Sequence, residues 1–392
     1  LGGGSTVTIA QRMFEGMNSF ALLAIPLYTF AGFTMSKGGI SKRLMDFCYS
    51  IVGHIYGGLA HVNVLSSMIF AGISGSAVAD TAGVSGMFMP EMVRKGYSKN
   101  FTVAVTAISS TIGIIIPPSI PMVVIAGICG ISTGKLFLGG IIPGILCGLA
   151  QMIVSYFLAK KEGVPKEPGH FTIGPVLHGL WESWPALLMP IIIVGTITMG
   201  IVSPTEAGVI AVVYGLFAGG IIYRELKWED IKFAFAETVR TSGRIFIVIG
   251  AAKLYTVMLT TAGFDKWVAK TMLGFSTNPT VILIMILLIF FIVTMFMESI
   301  ATLTLFMPIL YPIALGVGIN LIVLSVLITV VIGVGLVTPP VGMCIYVACD
   351  LMDVTVGEVF PTLVPFIAAT FVCIALMVAF PQLILLPTYL MA

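Results

Sequence analysis

The chain has 392 residues, 58% of them hydrophobic and only 9% charged, with a mean hydropathy of +1.11. A water-soluble globule of this length has no interior for so much apolar surface, whereas helices facing lipid require it. The net charge of +2, with no basic patch and no aromatic platform, gives nucleic acid nothing to hold. The 43 glycines and 21 prolines fit a polytopic bundle with tight helix contacts and broken helices. Cysteines 48, 129, 147, 344, 349 and 373 lie mostly in apolar stretches without CxxC spacing, which reads as buried free thiols. The chain opens Leu1-Gly2-Gly3-Gly4 without an initiator Met, reading as a trimmed or processed start, and no signal peptide follows.

Apolar runs near 17–35, 101–129, 136–158, 185–201, 205–222, 244–262, 320–349 and 363–380 approach the about 20 residues that cross a bilayer. Two regions between them, 62–92 and 280–315, differ. Each has an apolar arm, a short polar apex and a second apolar arm ending at Pro90 or Pro308. The apexes are Gly72-Ile-Ser-Gly-Ser-Ala-Val-Ala-Asp80 and Glu298-Ser-Ile-Ala-Thr302. This pattern predicts re-entrant helical hairpins, whose irregular backbone survives at membrane depth only inside protein or against a wet cavity.

Charge placement tests that topology. Basic residues gather at Lys37, Lys42 and Arg43; at Arg94, Lys95 and Lys99; at Lys160, Lys161 and Lys166; and at Arg224, Lys227 and Lys232. If 44–60 lies along the interface and 62–92 re-enters, all four groups share one side, the cytoplasmic one by the positive-inside rule. Counting 62–92 as a full span puts the second group opposite the first. The hairpin reading wins.

The chain also repeats itself. Gly113-Ile-Ile-Ile-Pro117-Pro118 matches Gly335-Leu-Val-Thr-Pro339-Pro340, 222 positions on. Asp80 and Met87-Phe-Met-Pro90 align with Glu298 and Leu305-Phe-Met-Pro308 at 218 positions, and Tyr28-Thr29 aligns with Tyr255-Thr256. The span at 17–35 runs inward and its partner at 244–262 outward, so the repeats are inverted. Paired Gly/Pro-interrupted segments in two halves of a membrane protein point to a transporter's binding site.

The chemistry follows from the breaks. Proline removes a helical hydrogen bond, and two after a glycine unwind the segment. Freed carbonyls in a membrane need a partner, and sodium, a hard cation, takes oxygen ligands from unwound backbone and hydroxyls. Each repeat pairs such a break with a hydroxyl-bearing apex. One sodium site is expected at Ser74, Gly75, Ser76, Ser110, Thr111, Gly113 and Pro117, with Ser109 nearby; the other at Glu298, Ser299, Thr302, Gly333, Gly335 and Thr338. Against this stands a plain kink whose hydroxyls bond back to their own helix. An anionic substrate would sit between the apexes on free helix N–H groups, with Ser76, Ser119, Ser299, Thr302 and the intramembrane Lys253 as candidate contacts. Lys253 has the competing reading of snorkelling or pairing with a carboxylate. Asp80 and Glu298 either balance sodium charge or cap the returning arms, and Pro118, Pro339 and Pro340 are structural.

Other signals are weaker. Ser203-Pro204-Thr205-Glu206 reads as a capped helix start. His54, His61, His170 and His178 form no metal set. Gly72-Ile-Ser-Gly75 and Gly83-Val-Ser-Gly86, with Ser74 and Ser85, superficially match the G-x-S-G of rhomboid proteases, but no histidine sits on a facing membrane helix. A channel would need a continuous polar pore, whereas the polar groups cluster at two apexes and two breaks.

Gln11-Arg-Met-Phe-Glu-Gly16, Leu22-Leu-Ala-Ile-Pro26, Gly72-Ile-Ser-Gly-Ser-Ala-Val-Ala-Asp80, Ile116-Pro-Pro-Ser-Ile-Pro121 and Pro204-Thr-Glu-Ala-Gly208 together resemble the large membrane subunit of TRAP transporters, the tripartite ATP-independent periplasmic family. The resemblance covers essentially the whole chain. It implies an all-α polytopic inverted-repeat protein of the bacterial inner membrane that is not an enzyme and has no cofactor beyond sodium as coupling ion. It further implies import of an organic acid, such as sialic acid or a C4-dicarboxylate. A periplasmic binding protein would deliver the substrate, and a small four-helix membrane subunit, separate or fused, would complete the complex. A related symporter working without a binding protein is the alternative. An elevator mechanism is implied too: 1–61 and 159–262 as scaffold with an arm helix in the first, 263–279 as a second arm, and 62–158 and 280–392 as the transport domain. The family's ion-site elements fall on Ser74–Ser76, Ser109–Pro118, Glu298–Thr302 and Gly333–Pro339. The family's further N-terminal helix is not found before Leu1.

Overall fold

The computed structural model describes residues 6–164, 166 and 172–391, and among these the chain is all-helical with no strand. The first series opens with α1 (Thr6–Met17), a 3-10 turn (Phe20–Leu23), α2 (Ala24–Lys37) and α3 (Ile40–Val52). A helical hairpin follows: α4 (Gly58–Ser74), then α5 (Ala77–Asp80), a π-helical turn (Thr81–Ser85) and α6 (Gly86–Arg94). A broken helix comes next, α7 (Lys99–Ser110), a 3-10 turn (Thr111–Ile114) and, beyond the two prolines, α8 (Ile120–Cys129). α9 (Thr133–Lys161) closes the series, and α10 (Ile173–Thr198) and α11 (Pro204–Phe217, extended by a π turn to Ile222) stand between the halves.

The same order then recurs. Long α12 (Trp228–Thr261) and short α13 (Phe264–Phe275) precede a second hairpin, α14 (Pro279–Thr294) and α15 (Ser299–Gly316). A second broken helix, α16 (Leu321–Gly335) and α17 (Met343–Met352), leads to α18 (Val356–Ala379) and the terminal α19 (Gln382–Leu385) with a 3-10 turn (Leu386–Met391). The Pro117–Pro118 and Pro339–Pro340 peptide bonds are both cis.

Local sequence sets these boundaries. Ser98, Ser119 and Ser132 accept the first free N–H groups of α7, α8 and α9, and Asn278 and Asn320 do so for α14 and α16. Each such cap contributes about 1 kcal/mol. The capping box expected at Ser203 is present, with Glu206 reaching back at 2.7 Å. Gly75 (φ 62°) and Gly130 (φ 67°) end α4 and α8 in the left-handed region, where a side chain would be strained.

Seven helical segments among the described residues are long and apolar enough to cross a bilayer; most hairpin arms and both halves of each broken helix are shorter. Two helices start well before their apolar runs. α10 begins at Ile173 rather than 185 and α12 at Trp228 rather than 244, because glycine and polar residues (Gly174, His178, Gly179, Glu182, Ser183) in the first and charged residues in the second dilute the hydropathy without interrupting the helix.

The four basic groups lie at one end of the bundle. Arg43 pairs with Glu225 at 2.7 Å and stacks over Tyr223, joining the first group to the fourth. Lys166 lies over Tyr56, and the Tyr97 hydroxyl accepts from Leu59 N at 3.2 Å, bringing the other two to the turn before α4. Elsewhere, Tyr28 donates to Pro204 O at 2.8 Å and Thr205 to Phe20 O at 2.9 Å, fixing the start of α11 against α2.

Candidate functional site

The site begins with a covalent fact. Pro117 and Pro118 have no N–H, so the Gly113 and Ile114 carbonyls lose their helical donors; Gly335 and Leu336 lose theirs to Pro339 and Pro340. Three of the four find substitutes. Ile114 O accepts from the Ser119 hydroxyl at 2.5 Å, Leu336 O from Cys344 N at 2.9 Å, and Gly335 O from Thr338 N at 3.1 Å. Gly113 O, the fourth, has no helical donor.

Each hairpin apex is tied to the break of its own repeat by an equivalent bond. Ile120 N, just past the first proline pair, donates to Gly75 O at 3.3 Å, and Val341 N, just past the second, donates to Met295 O at 3.0 Å. The approach is close: a Cβ at Gly75 would lie 2.7 Å from Pro118 O, and one at Gly113 only 3.6 Å from Ser76 O. In the second repeat a Cβ at Gly335 would lie 2.7 Å from Thr294 Cβ. Gly75 and Gly335 let apex and break touch, whereas a Cβ at Gly113 would make only ordinary contact.

The two repeats also meet. A Cβ at Gly333 would sit 3.2 Å from Thr111 Cβ, so the second broken helix crosses the first at its break. The post-break half of each broken helix packs on the other repeat's returning arm, α8 against α15 and α17 against α5 and the π turn. Cys344 of α17 lies against Thr81 and Ser110, with Asp80 and Glu298 in electrostatic range. Both apexes and both breaks therefore form one cluster.

Most hydroxyl protons here are spent on nearby acceptors. Thr111 donates to Ile108 O at 2.7 Å, Ser110 to Ala107 O at 2.8 Å, Thr338 to Val334 O at 2.7 Å and Thr302 to Glu298 O at 3.0 Å. A donating hydroxyl keeps its acceptor lone pairs, so this bonding leaves the oxygens available to a cation. Ser74 Oγ accepts from Ser76 N at 3.5 Å, and Ser76 Oγ accepts from Ala79 N at 3.4 Å as the cap of α5.

Several sequence-based assignments shift. Glu298 caps α15: its carboxylate accepts from Ile300 N at 2.8 Å and Ala301 N at 3.3 Å, and from the Ser299 hydroxyl at 2.6 Å. The N–H groups offered to a substrate carboxylate at this apex are thus already taken by an internal one. The cap of the first returning arm is Ser76, not Asp80, which sits fully buried at the far end of α5. Ser76 and Glu298 are 222 positions apart, but Pro90 and Pro308 only 218, so Asp80 belongs to a stretch, next to the π turn, without a counterpart in the second repeat. Gly333 faces the first break rather than the second apex. Ser119 is buried with its hydroxyl engaged at both ends, donating to Ile114 O and accepting from Met122 N at 3.3 Å. Lys253 is exposed on α12, forms no hydrogen bond or ion pair among the described residues, and rests the base of its side chain against Gly16 of α1.

Sequence reasoning missed a polar layer behind the first site. Asn63 of α4 donates to Thr106 Oγ1 at 2.8 Å and accepts from Ser109 at 3.2 Å; Ser67 donates to Ser109 at 3.3 Å. Thr81 donates to Ser110 at 2.6 Å, and Gln151 of α9 donates to Ile108 O at 3.3 Å. A signal existed: Thr102, Thr106, Ser109 and Ser110 make one helical stripe, which Asn63 and Ser67 meet at Thr106 and Ser109. The protease geometry is not formed at Ser74, since His61 shares its helix about 20 Å away at 1.5 Å per residue and bonds Tyr56 O. The Ser85 side chain and His170 lie outside the described residues, and His178 pairs with Glu182 at 3.3 Å.

The sequence model of the family described as "Tripartite ATP-independent periplasmic transporter, DctM component" matches residues 1–383. The chain belongs to that family. It is 35% identical over 377 residues to the sialic acid TRAP transporter large permease protein SiaM of Vibrio cholerae, covering 96% of this chain and 88% of the relative. It is 34% identical over 387 residues to the C4-dicarboxylate large permease protein DctM of Pseudomonas aeruginosa, covering 98% and 90%. With the isethionate TRAP permease protein DctMQ of Oleidesulfovibrio alaskensis it shares 36% identity over 360 residues, and there it spans only 57% of the longer protein. In fold it is similar to MtrF of Neisseria gonorrhoeae (TM-score 0.64, 14% identity, 95% of this chain and 84% of that one). The YdaH transporter of Alcanivorax borkumensis is similar at a TM-score of 0.60 (12% identity, covering 97% and 90%). This TRAP large permease is accordingly a transporter component of the bacterial inner membrane, not an enzyme.

Proposed function

We propose that this TRAP permease imports an organic anion coupled to sodium, with the ions held where the two breaks meet the two apexes. The observation that carries this reading is the doubled tie: Ile120 N to Gly75 O and Val341 N to Met295 O join each apex to its own break, and Gly333 against Thr111 joins the breaks to one another. Carbonyls, hydroxyls and a carboxylate converge there, a donor set that suits a hard cation.

In this reading the repeats are inverted and the molecule works as an elevator. The scaffold comprises α1–α3 and α10–α13, and the transport body α4–α9 and α14–α19. These divisions fall at helix ends, which lie a few residues from 61 and 158 because those positions are inside α4 and α9. A periplasmic binding protein delivers the cargo, and a small membrane subunit, separate or joined to this chain, completes the complex. The cargo is a singly charged carboxylate of the sialic acid type rather than a dicarboxylate, because among the described residues no group of cations stands at the cluster. The test is uptake into proteoliposomes containing this chain and its partners. Uptake of the cargo should collapse when the sodium gradient is abolished; uptake indifferent to that gradient overturns the reading.

A further inference from the structure

We propose that Gly72 of α4 and Pro190 of α10 form a seat that holds the transport body at its position in this structure; this rests on the elevator reading above. The argument is a comparison of close approaches. Where a Cβ on glycine would come within 3.0 Å of a neighbouring helix, helices interlock, because the facing atom occupies the space of the missing side chain. Apart from the covalent α3–α4 junction, where Gly57 meets Ala159 and Gly58 meets Gly53, the interlocks between helices among the described glycines stay inside one body or the other. Gly208 on Leu27 and Gly38 on Gly219 lock the scaffold, while Gly148 on Met68 and Gly335 on Thr294 lock the transport body.

Gly72 is the exception. A Cβ there would lie 2.5 Å from Pro190 Cγ and 2.7 Å from Pro190 Cβ, across the boundary. Elsewhere on that boundary, away from the covalent α3–α4 turn, α4 packs on α2, α8 on α2, and α15 on α12 without such an interlock. Sliding along this face must undo that interlock, so the step marks a resting position. The seat also abuts the ion cluster, since the Gly72 Cβ position is 3.5 Å from Pro117 O. Gly72 is helical with no left-handed φ, so its requirement is one of space alone.

The experiment uses the full chain in lipid nanodiscs, with nitroxides at Ile153→Cys on α9 and Ile247→Cys on α12, both exposed. Double electron–electron resonance reads the separation of the two bodies. Gly72→Val should depopulate the separation of this structure about tenfold relative to the parent, as expected of an overpacked contact. Adding Pro190→Gly, which opens the space again, should restore the parental distribution; a merely misfolded variant would not be rescued. A folded Gly72→Val protein with the parental distribution overturns the seat, as does failure of Pro190→Gly to rescue. If no second separation is found in any variant, nor on replacing potassium chloride by sodium chloride, the sliding movement itself fails, and the elevator reading with it.

Discussion

At the scale of single residues, Asn63 deserves more weight than any hydroxyl named from the sequence. It is fully buried and bonds both Thr106 and Ser109, so it fastens the first hairpin to the first broken helix. Asn63→Ala leaves both hydroxyls without that partner. The cost should be ~1–2 kcal/mol, toward the lower end of water-based values because the membrane-embedded unfolded chain also finds partners. Equilibrium unfolding in mixed micelles measures it; an unchanged midpoint would mean the network contributes nothing. The candidate site was only partly legible at this scale. Pro117, Pro118, Pro339 and Pro340 could be read directly, because a missing N–H is a property of the residue. Gly333 could not, because its neighbour Thr111 lies in the other repeat and internal matching relates positions only within each copy. Asp80 was paired with Glu298 by an alignment that slips by four residues beside a π turn, and nothing in composition marks such a turn.

At the scale of elements, the breaks are the feature on which the proposed function turns. Replacing Pro117 and Pro118 by alanine supplies N–H groups to the Gly113 and Ile114 carbonyls and lets α7 continue. Sodium at half-maximal uptake should rise about tenfold, as loss of one charged-group contact predicts. An unchanged sodium requirement would place the ion elsewhere. The element order itself was largely readable. Hairpins, breaks and most spans fall near the apolar and proline patterns, while the starts of α10 and α12 were misjudged because hydropathy reports lipid contact and not helix. Lys232, Glu237, Arg240 and Arg244 weaken the apolar signal along α12, yet the helix runs unbroken through them.

At the scale of the whole molecule, the ties Arg43–Glu225, Lys166–Tyr56 and Tyr97–Leu59 gather four basic groups at one end. The positive-inside rule makes that end cytoplasmic. Lys42→Cys and Lys99→Cys, one on each side of the first hairpin, should therefore react with a membrane-impermeant maleimide only in inside-out vesicles, and exposed Ile201→Cys only in right-side-out ones. Labelling of Lys42→Cys and Lys99→Cys from opposite sides would refute the hairpin topology.

The Glu298 cap carries a kinetic consequence. A negative group already faces the place where cargo docks in this reading, so a carboxylate reaching an ion-free cluster meets like charge in a poorly screened setting. Sodium arriving first cancels that opposition. Under the proposed coupling, loading is sequential, alkali metal before organic anion, and an ion-free carrier turns its own cargo away.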